Sequence, residues 1–164
     1  MSWSNRGCIL LLALLPITAW GLTSDQDQPI YMEADSVDVD EESGISVYIG
    51  DVEVTQGTMR LLADKVTVYR VEKKTERIVA IGKPVKYRQQ MDNSTDEVKG
   101  EALMMEYFIT DERLYLIDNA ELTQGLDNFS SDRITYFRNR SLVKAGGSAK
   151  GKERVRSVIN PNDK

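Results

Sequence analysis

From Ile30 onward the chain alternates apolar and polar positions with a period of two. Ile30, Met32 and Ala34 share one face while Tyr31 and Glu33 take the other. The same period runs through Ile45, Val47 and Ile49, and through Val52 and Val54 against Glu53 and Thr55. It continues in Val66 and Val68 against Thr67 and Tyr69, across Leu103 to Ile109, and in Leu114 with Leu116 and Ile134 with Tyr136. Turn formers punctuate these runs: Glu42-Ser43-Gly44, Gly50-Asp51, Gln56-Gly57, Gly82-Lys83-Pro84, Asp92-Asn93-Ser94 and Asp118-Asn119. Many short strands separated by Gly, Asn and Asp turns predict an antiparallel all-β barrel or sandwich. Only Glu72 to Thr75 and Gly146 to Lys152 read as longer loops.

The phrase "GDVEVTQG" (Gly50 to Gly57) is echoed by "DNAELTQG" (Asp118 to Gly125). Sliding the chain by 68 residues aligns 32–69 with 100–137 without a gap, with nine identities. They are Glu33/Glu101, Ala34/Ala102, Ile49/Ile117, Glu53/Glu121, Thr55/Thr123, Gln56/Gln124, Gly57/Gly125, Asp64/Asp132 and Thr67/Thr135. Ordinary residue usage would give about two or three. Because the offset is even, each aligned residue keeps its inward or outward sense along its strand. The chain is thus two copies of one β-meander, stacked so that they bury a continuous core. Within the repeated phrase, glycine supplies the positive φ of a hairpin turn. Asp64 and Asp132 are then read as turn carboxylates that open the next strand rather than as a catalytic pair.

The first residues predict a cleaved leader. Arg6 makes a positive start, Ile9 to Leu15 is aliphatic, Pro16 ends the run, and Ala19 and Gly21 occupy the small-residue positions of a cleavage site. An uncleaved anchor is the alternative, but the apolar run is short for a membrane span. A mature domain over 22–164 has 143 of the 164 residues, which suits a single domain. Trp3, Trp20 and the sole cysteine, Cys8, leave with residues 1–21, and loss of Arg6 moves the net charge from −5 to −6. An exported chain without cysteine must be held by core burial alone. Its mild acidity argues against a nucleic-acid partner.

Candidate chemistry is sparse. The chain has no histidine, and the mature part no cysteine, so the usual general base, thiol nucleophile and zinc-type ligands are missing. No catalytic residue, cofactor or metal site is expected. Asp35, Asp38, Asp40, Glu41 and Glu42 cluster without EF-hand spacing and read as a solvated strand face flanking Val37 and Val39. "GGSAKGKE" (Gly146 to Glu153) approaches a phosphate-binding loop but ends in Glu153 where Ser or Thr must hold magnesium. Asn93, Asn128 and Asn139 begin glycosylation sequons that carry sugar only in a eukaryotic secretory route. What remains is the interior. Ile, Val, Leu, Tyr and the adaptable Met32, Met59, Met104 and Met105 could form either an ordinary filled core or an apolar trough for a lipid.

The segments "DQPIYMEAD", "GDVEVTQGTMRLLADKVTVY", "IGKPVKY" and "SSDRITYF" resemble the LptA (OstA-like) family of periplasmic lipopolysaccharide-transport proteins in Gram-negative bacteria. The resemblance covers about residues 27 to 161. Related modules occur in the inner-membrane LptC and the N-terminal domain of the outer-membrane LptD. It implies an open antiparallel β-jellyroll of about sixteen strands, and a filament of such units that carries lipid A acyl chains inside it between LptC and LptD. It also implies lipid-facing positions at Ile30, Met32, Tyr87, Tyr107 and Ile109, and a subunit-contact position at Arg70. Independently of it, Ile30/Met32 and Tyr107/Ile109 are same-parity pairs. The rival reading is a structural β-repeat protein of the cell envelope with a filled core and no lipid ligand.

The ends of the chain suggest how units would join. A last strand over Arg154 to Ile159 sets Val155 against Arg156, with Ile159 beyond, and is basic through Lys150, Lys152, Arg154 and Arg156. The opening segment is acidic through Asp25, Asp27 and Glu33, and Pro29 and Pro161 bound the terminal strands. Opposite charges at the two ends favour head-to-tail self-association.

Overall fold

The computed structural model describes residues 25–91, 94–146 and 154–161. The leader at 1–21, the asparagine of the Asn93 sequon, Lys150, Lys152 and all but the first residue of the phosphate-loop-like stretch lie outside them. Among the described residues ten strands form one antiparallel sheet. They are β1 (Tyr31–Glu33), β2 (Ser36–Asp40), β3 (Ile45–Gln56), β4 (Met59–Val71), β5 (Lys74–Gln90), β6 (Glu97–Phe108), β7 (Arg113–Gln124), β8 (Asp127–Phe137), β9 (Leu142–Ala145) and β10 (Arg156–Val158). β3 to β8 lie side by side in chain order; β1 and β2 both pair with β3, and β9 and β10 both pair with β8. No helix among the described residues is long and apolar enough to cross a membrane.

Each of the six long strands is interrupted near its middle. The register slips between Ile49 and Val52, Leu62 and Lys65, Ile81 and Val85, Glu101 and Met104, and Ile117 and Ala120, so the bulges form one line across the sheet. Bulges bend the strands that carry them, and here they fold the sheet into two facing leaves. Leaf I holds β2, residues 45–49, 65–71, 74–81, 104–108, 113–117 and 133–137, and β9. Leaf II holds β1, the other halves of β3 to β8, and β10. Counted by halves there are sixteen strands, eight to a leaf, which is the jellyroll that the resemblance implies. The leaves meet closely: a Cβ on Gly100 in leaf II would lie 2.8 Å from Leu116 Cδ2 in leaf I.

Several expected turns are therefore bulges. Gly50-Asp51 and Asp118-Asn119 lie inside β3 and β7 with positive φ at all four residues, and Gly82-Lys83-Pro84 lies inside β5, where the Lys83–Pro84 peptide is cis. Asp64 and Asp132 likewise sit within β4 and β8 on the bulge line rather than at a strand start. Glu72 to Thr75 is not a long loop. Glu72 and Lys73, at φ 49 and 65, make a two-residue turn, and Lys74 and Thr75 already belong to β5. Both residues of such a turn take the left-handed conformation that matches strand twist.

The repeat is real in three dimensions. β3 and β7 have the same length and the same bulge, offset by 68 residues. β1 and β2 together correspond to the single strand β6, since Glu33↔Glu53 then Ser36↔Ile49 is matched by Glu101↔Glu121 then Met104↔Ile117. Equivalent residues share their burial: Val52 and Ala120, Val54 and Leu122, Val66 and Ile134 are all in the core. Alternation alone misplaces two runs. Ile45, Val47 and Ile49 do share a face, but it is the outer one, with Ser46 and Tyr48 turned inward. The bulge between Glu101 and Met104 switches parity in β6, so Leu103 is exposed while Ala102, Met105 and Tyr107 are buried. On the outer face of leaf I, cations cover aromatic rings of neighbouring strands, with Arg77 4.2 Å from the Tyr69 ring centroid and Arg133 4.5 Å from that of Tyr115.

Gly57 and Gly125 close equivalent hairpins at φ 59 and 60. They differ in surroundings: a Cβ on Gly57 would come within 3.0 Å of the Asp25 backbone, whereas among the described residues Gly125 has no such close neighbour. Gly→Val at either position is expected to destabilise the fold by more than about 1 kcal/mol, with the larger loss at Gly57. Denaturant midpoints of the two variants measure this. Wild-type stability in both would contradict the account of the repeated phrase.

Candidate functional site

The interior between the leaves differs between the two copies of the repeat. In the second copy it is filled: Met105, Tyr107, Leu114 and Leu116 are all buried. At the equivalent places the first copy has Val37, Val39, Ser46 and Tyr48, and Val37 and Val39 remain about half exposed, at 49% and 51%. Three of these four are smaller than their counterparts, Tyr48 being the exception, and the same frame holds an open cavity of about 400 Å³ at the β1–β4 end. Ligand cavities fall in the range of roughly 300–1,000 Å³. Ile30, Met32, Tyr48, Val39 and Val68 give this trough its apolar wall, and Ser46, Thr75, Glu41 and Arg70 its polar one.

Hairpin tips border the interior on the side away from the bulge line. At the β2–β3 tip, Asp40 Oδ1 accepts from the amides of Glu42 (2.9 Å) and Ser43 (3.1 Å). The hydrogen bonds from Ser43 hold its carboxyl below the usual range. Arg70 is fastened beside this tip: its Nη2 donates to Ser46 Oγ at 2.9 Å and lies 3.6 Å from Glu41. On the leaf II side, a single 3-10 turn, Asp25–Asp27, lies over the Gly57 hairpin. Asp25 accepts from Thr58 N (2.8 Å), Thr58 Oγ1 (2.6 Å) and Gln89 Nε2 (2.7 Å), and Tyr87 donates to the same Gln89. Burial raises the pKa of the Tyr87 and Tyr107 hydroxyls, so both stay protonated donors.

Carried one residue beyond its aligned stretch, the 68-residue offset places Arg70 on Arg138. Arg138 is buried in the second copy and donates from Nη1 to the Tyr107 hydroxyl. It borders a nearly filled apolar cavity of about 10 Å³ with Val54, Met59, Leu61, Ile78, Tyr87, Tyr107 and Leu114. On its other side lies a small polar cleft lined by Gln89, Gln90, Glu112 and Ser141.

The expected lipid-facing residues thus divide. Ile30 and Met32 line the trough together with Arg70. Tyr87 and Tyr107 meet in the filled region beside Arg138, and Ile109 packs at the margin of the core. Val155 and Ile159 flank the short β10 at the opposite edge of the sheet, both exposed, as is Val158 within it. Ser46, Tyr48, Val68 and Arg138 were not anticipated. The signal for them lay in the repeat, not in its identities but in its differences: Ser46 opposite Leu114, Glu41 opposite Ile109.

Residues 31–141 match the family described as "LptA/(LptD N-terminal domain) LPS transport protein". The chain belongs to this family. It is 35% identical over 161 residues to the lipopolysaccharide export system protein LptH of Pseudomonas aeruginosa, covering 94% of this chain and 92% of that protein. It is 39% identical over 155 residues to the lipopolysaccharide export system protein LptA of Escherichia coli K12, covering 93% of this chain and 81% of that one. The crystal structure of LptH, the LptA-homologous periplasmic component of the lipopolysaccharide transport device of P. aeruginosa, superposes with a TM-score of 0.79 at 35% identity. The match covers 85% of this chain and 100% of that one.

Proposed function

We propose that this protein is a periplasmic lipopolysaccharide carrier, cut from its leader near Gly21, that shields lipid A acyl chains between the two membranes. The observation that supports this most directly is the open trough between the leaves at the β1–β4 end, walled by Ile30, Met32, Tyr48 and Val68. Each methylene withdrawn from water is worth about 0.8 kcal/mol, so a multi-acyl lipid needs continuous cover and no chemistry. The names of the relatives point the same way.

In this reading units join head to tail, with LptC receiving one end of the bridge and LptD the other. Both outer edges of the sheet are unpaired among the described residues, and both carry exposed apolar side chains: Tyr31, Val37 and Val39 at one, Val155, Val158 and Ile159 at the other. Unpaired edges of this kind invite strand pairing with another chain.

A photo-crosslinker at Ile30, Met32, Tyr107 or Ile109 is expected to capture lipopolysaccharide in cells, and one at Tyr31, Glu33 or Glu106 to capture little. Equal yields on both faces would contradict an interior route and favour the filled-core structural protein. For assembly, deleting residues 150–164 removes β10 and is expected to leave a folded monomer that binds lipid. Light scattering that still grows with concentration after the deletion would exclude this edge as the joint.

A further inference from the structure

Arg138 carries a buried charge with no carboxylate in ion-pairing contact among the described residues; Glu112 and Asp25 act on it only from a distance. It is 8% exposed, and among the described residues its one side-chain hydrogen bond runs from Nη1 to the Tyr107 hydroxyl. Its Nε–H is buried without an acceptor, and among the described residues no carboxylate lies within 4.0 Å of the guanidinium. An arginine keeps its proton under all ordinary conditions, and an uncompensated buried charge is strongly destabilising. The repeat makes the imbalance plain. Arg70, at the same place in the first copy, has Glu41 at 3.6 Å and Ser46 at 2.9 Å, whereas Ile109 and Leu114 stand at those two places beside Arg138.

Its position is equally specific. Arg138 stands on the boundary between apolar side chains (Met59, Leu61, Leu114) and a polar cleft (Gln89, Gln90, Ser141). Glu112 also lines that cleft, beyond ion-pairing distance. We infer that Arg138 binds the acidic oxyanion, phosphate or carboxylate, of an amphiphile whose chains enter the apolar side. The inference rests on the lipid-carrier reading above and adds to it a headgroup station in the second copy. The Nε–H is a free donor for the anion. Tyr107, whose oxygen already accepts from Arg138, has its own proton to give. Entry requires the hairpin tips to part at this margin, where the described cross-leaf link is one exposed hydrogen bond, Gln124 Nε2 to the Ser141 carbonyl at 3.2 Å.

The test uses the purified protein and three probes below their micellar concentrations: dodecyl phosphate, dodecyl maltoside and inorganic phosphate. Wild type is expected to bind dodecyl phosphate about tenfold or more tightly over the maltoside. Arg138→Met should erase that preference while keeping maltoside binding, and Arg138→Lys should restore part of it. Arg88→Gln, which removes an exposed cation from β5, should leave it intact. Equal wild-type affinity for the two amphiphiles, or a preference that survives Arg138→Met, would overturn the assignment. If Arg138→Met does not fold, the wild-type contrast and Arg138→Lys decide. Inorganic phosphate competing as well as dodecyl phosphate would overturn the amphiphile part. Binding of neither amphiphile would instead overturn the carrier reading itself.

Discussion

An antiparallel sheet can fold over onto its own inner face only if every strand bends at the same level. It must also keep its large apolar side chains on the inside of the bend. The line of bulges from Ile49/Val52 to Ile117/Ala120 meets both demands. In β4, β5, β6 and β8 the interruption shifts the alternation by one, so that Leu61 and Ala63 hand over to Val66 and Val68, and Ala102 to Met105. In β3 and β7 two left-handed residues intervene and the parity is kept, Ser46 leading to Val52 and Leu116 to Ala120. Removing the one-residue shift from β4, β5, β6 or β8 would turn half of that strand inside out. With no cysteine in the described residues to staple the leaves, this agreement among six strands is what closes the fold.

On that frame, side-chain size decides where the interior is solid and where it is open. The two copies share register and the core positions Val52/Ala120, Val54/Leu122 and Val66/Ile134, but diverge where the trough lies. Leu114 faces inward in one and Ser46 in the other, Tyr107 in one and Val39 in the other. A close-packed interior leaves few voids larger than a water molecule, and the second copy obeys that rule. The first does not, and its opening adjoins the unpaired edge of β1 and β2. The arginines follow the same division, Arg70 set with Glu41 at the open end and Arg138 enclosed beside Tyr107.

Much of this was legible in the residues themselves. Period-two alternation announced an all-β chain, and the even 68-residue offset announced two meanders whose equivalent residues share burial. What was not legible in the strands has one physical cause. A bulge and a hairpin turn make the same demand on the backbone, a left-handed residue, so Gly50-Asp51 and Asp118-Asn119 advertise a turn while serving as a bend inside a strand. The parity switch that a bulge imposes then hides which face is inner. Ile45, Val47 and Ile49 are as apolar as any core run yet face outward, and Ser46 carries no sign that it borders a cavity. The trough is a missing volume, visible only when one copy is laid on the other. Arg138 stayed hidden because it lies just past the aligned stretch, and its meaning depends on the described carboxylates lying beyond ion-pairing distance.

The central claim is that the first copy is open because its side chains are small, and that this opening holds the lipid. Giving it the side chains of the second, Ser46→Leu with Val39→Tyr, tests that most directly. Affinity for fluorescent lipopolysaccharide should be measured alongside thermal stability. The account predicts a protein at least as stable as wild type whose lipid affinity falls about tenfold or more. Wild-type affinity in a folded double variant whose trough is filled would contradict it.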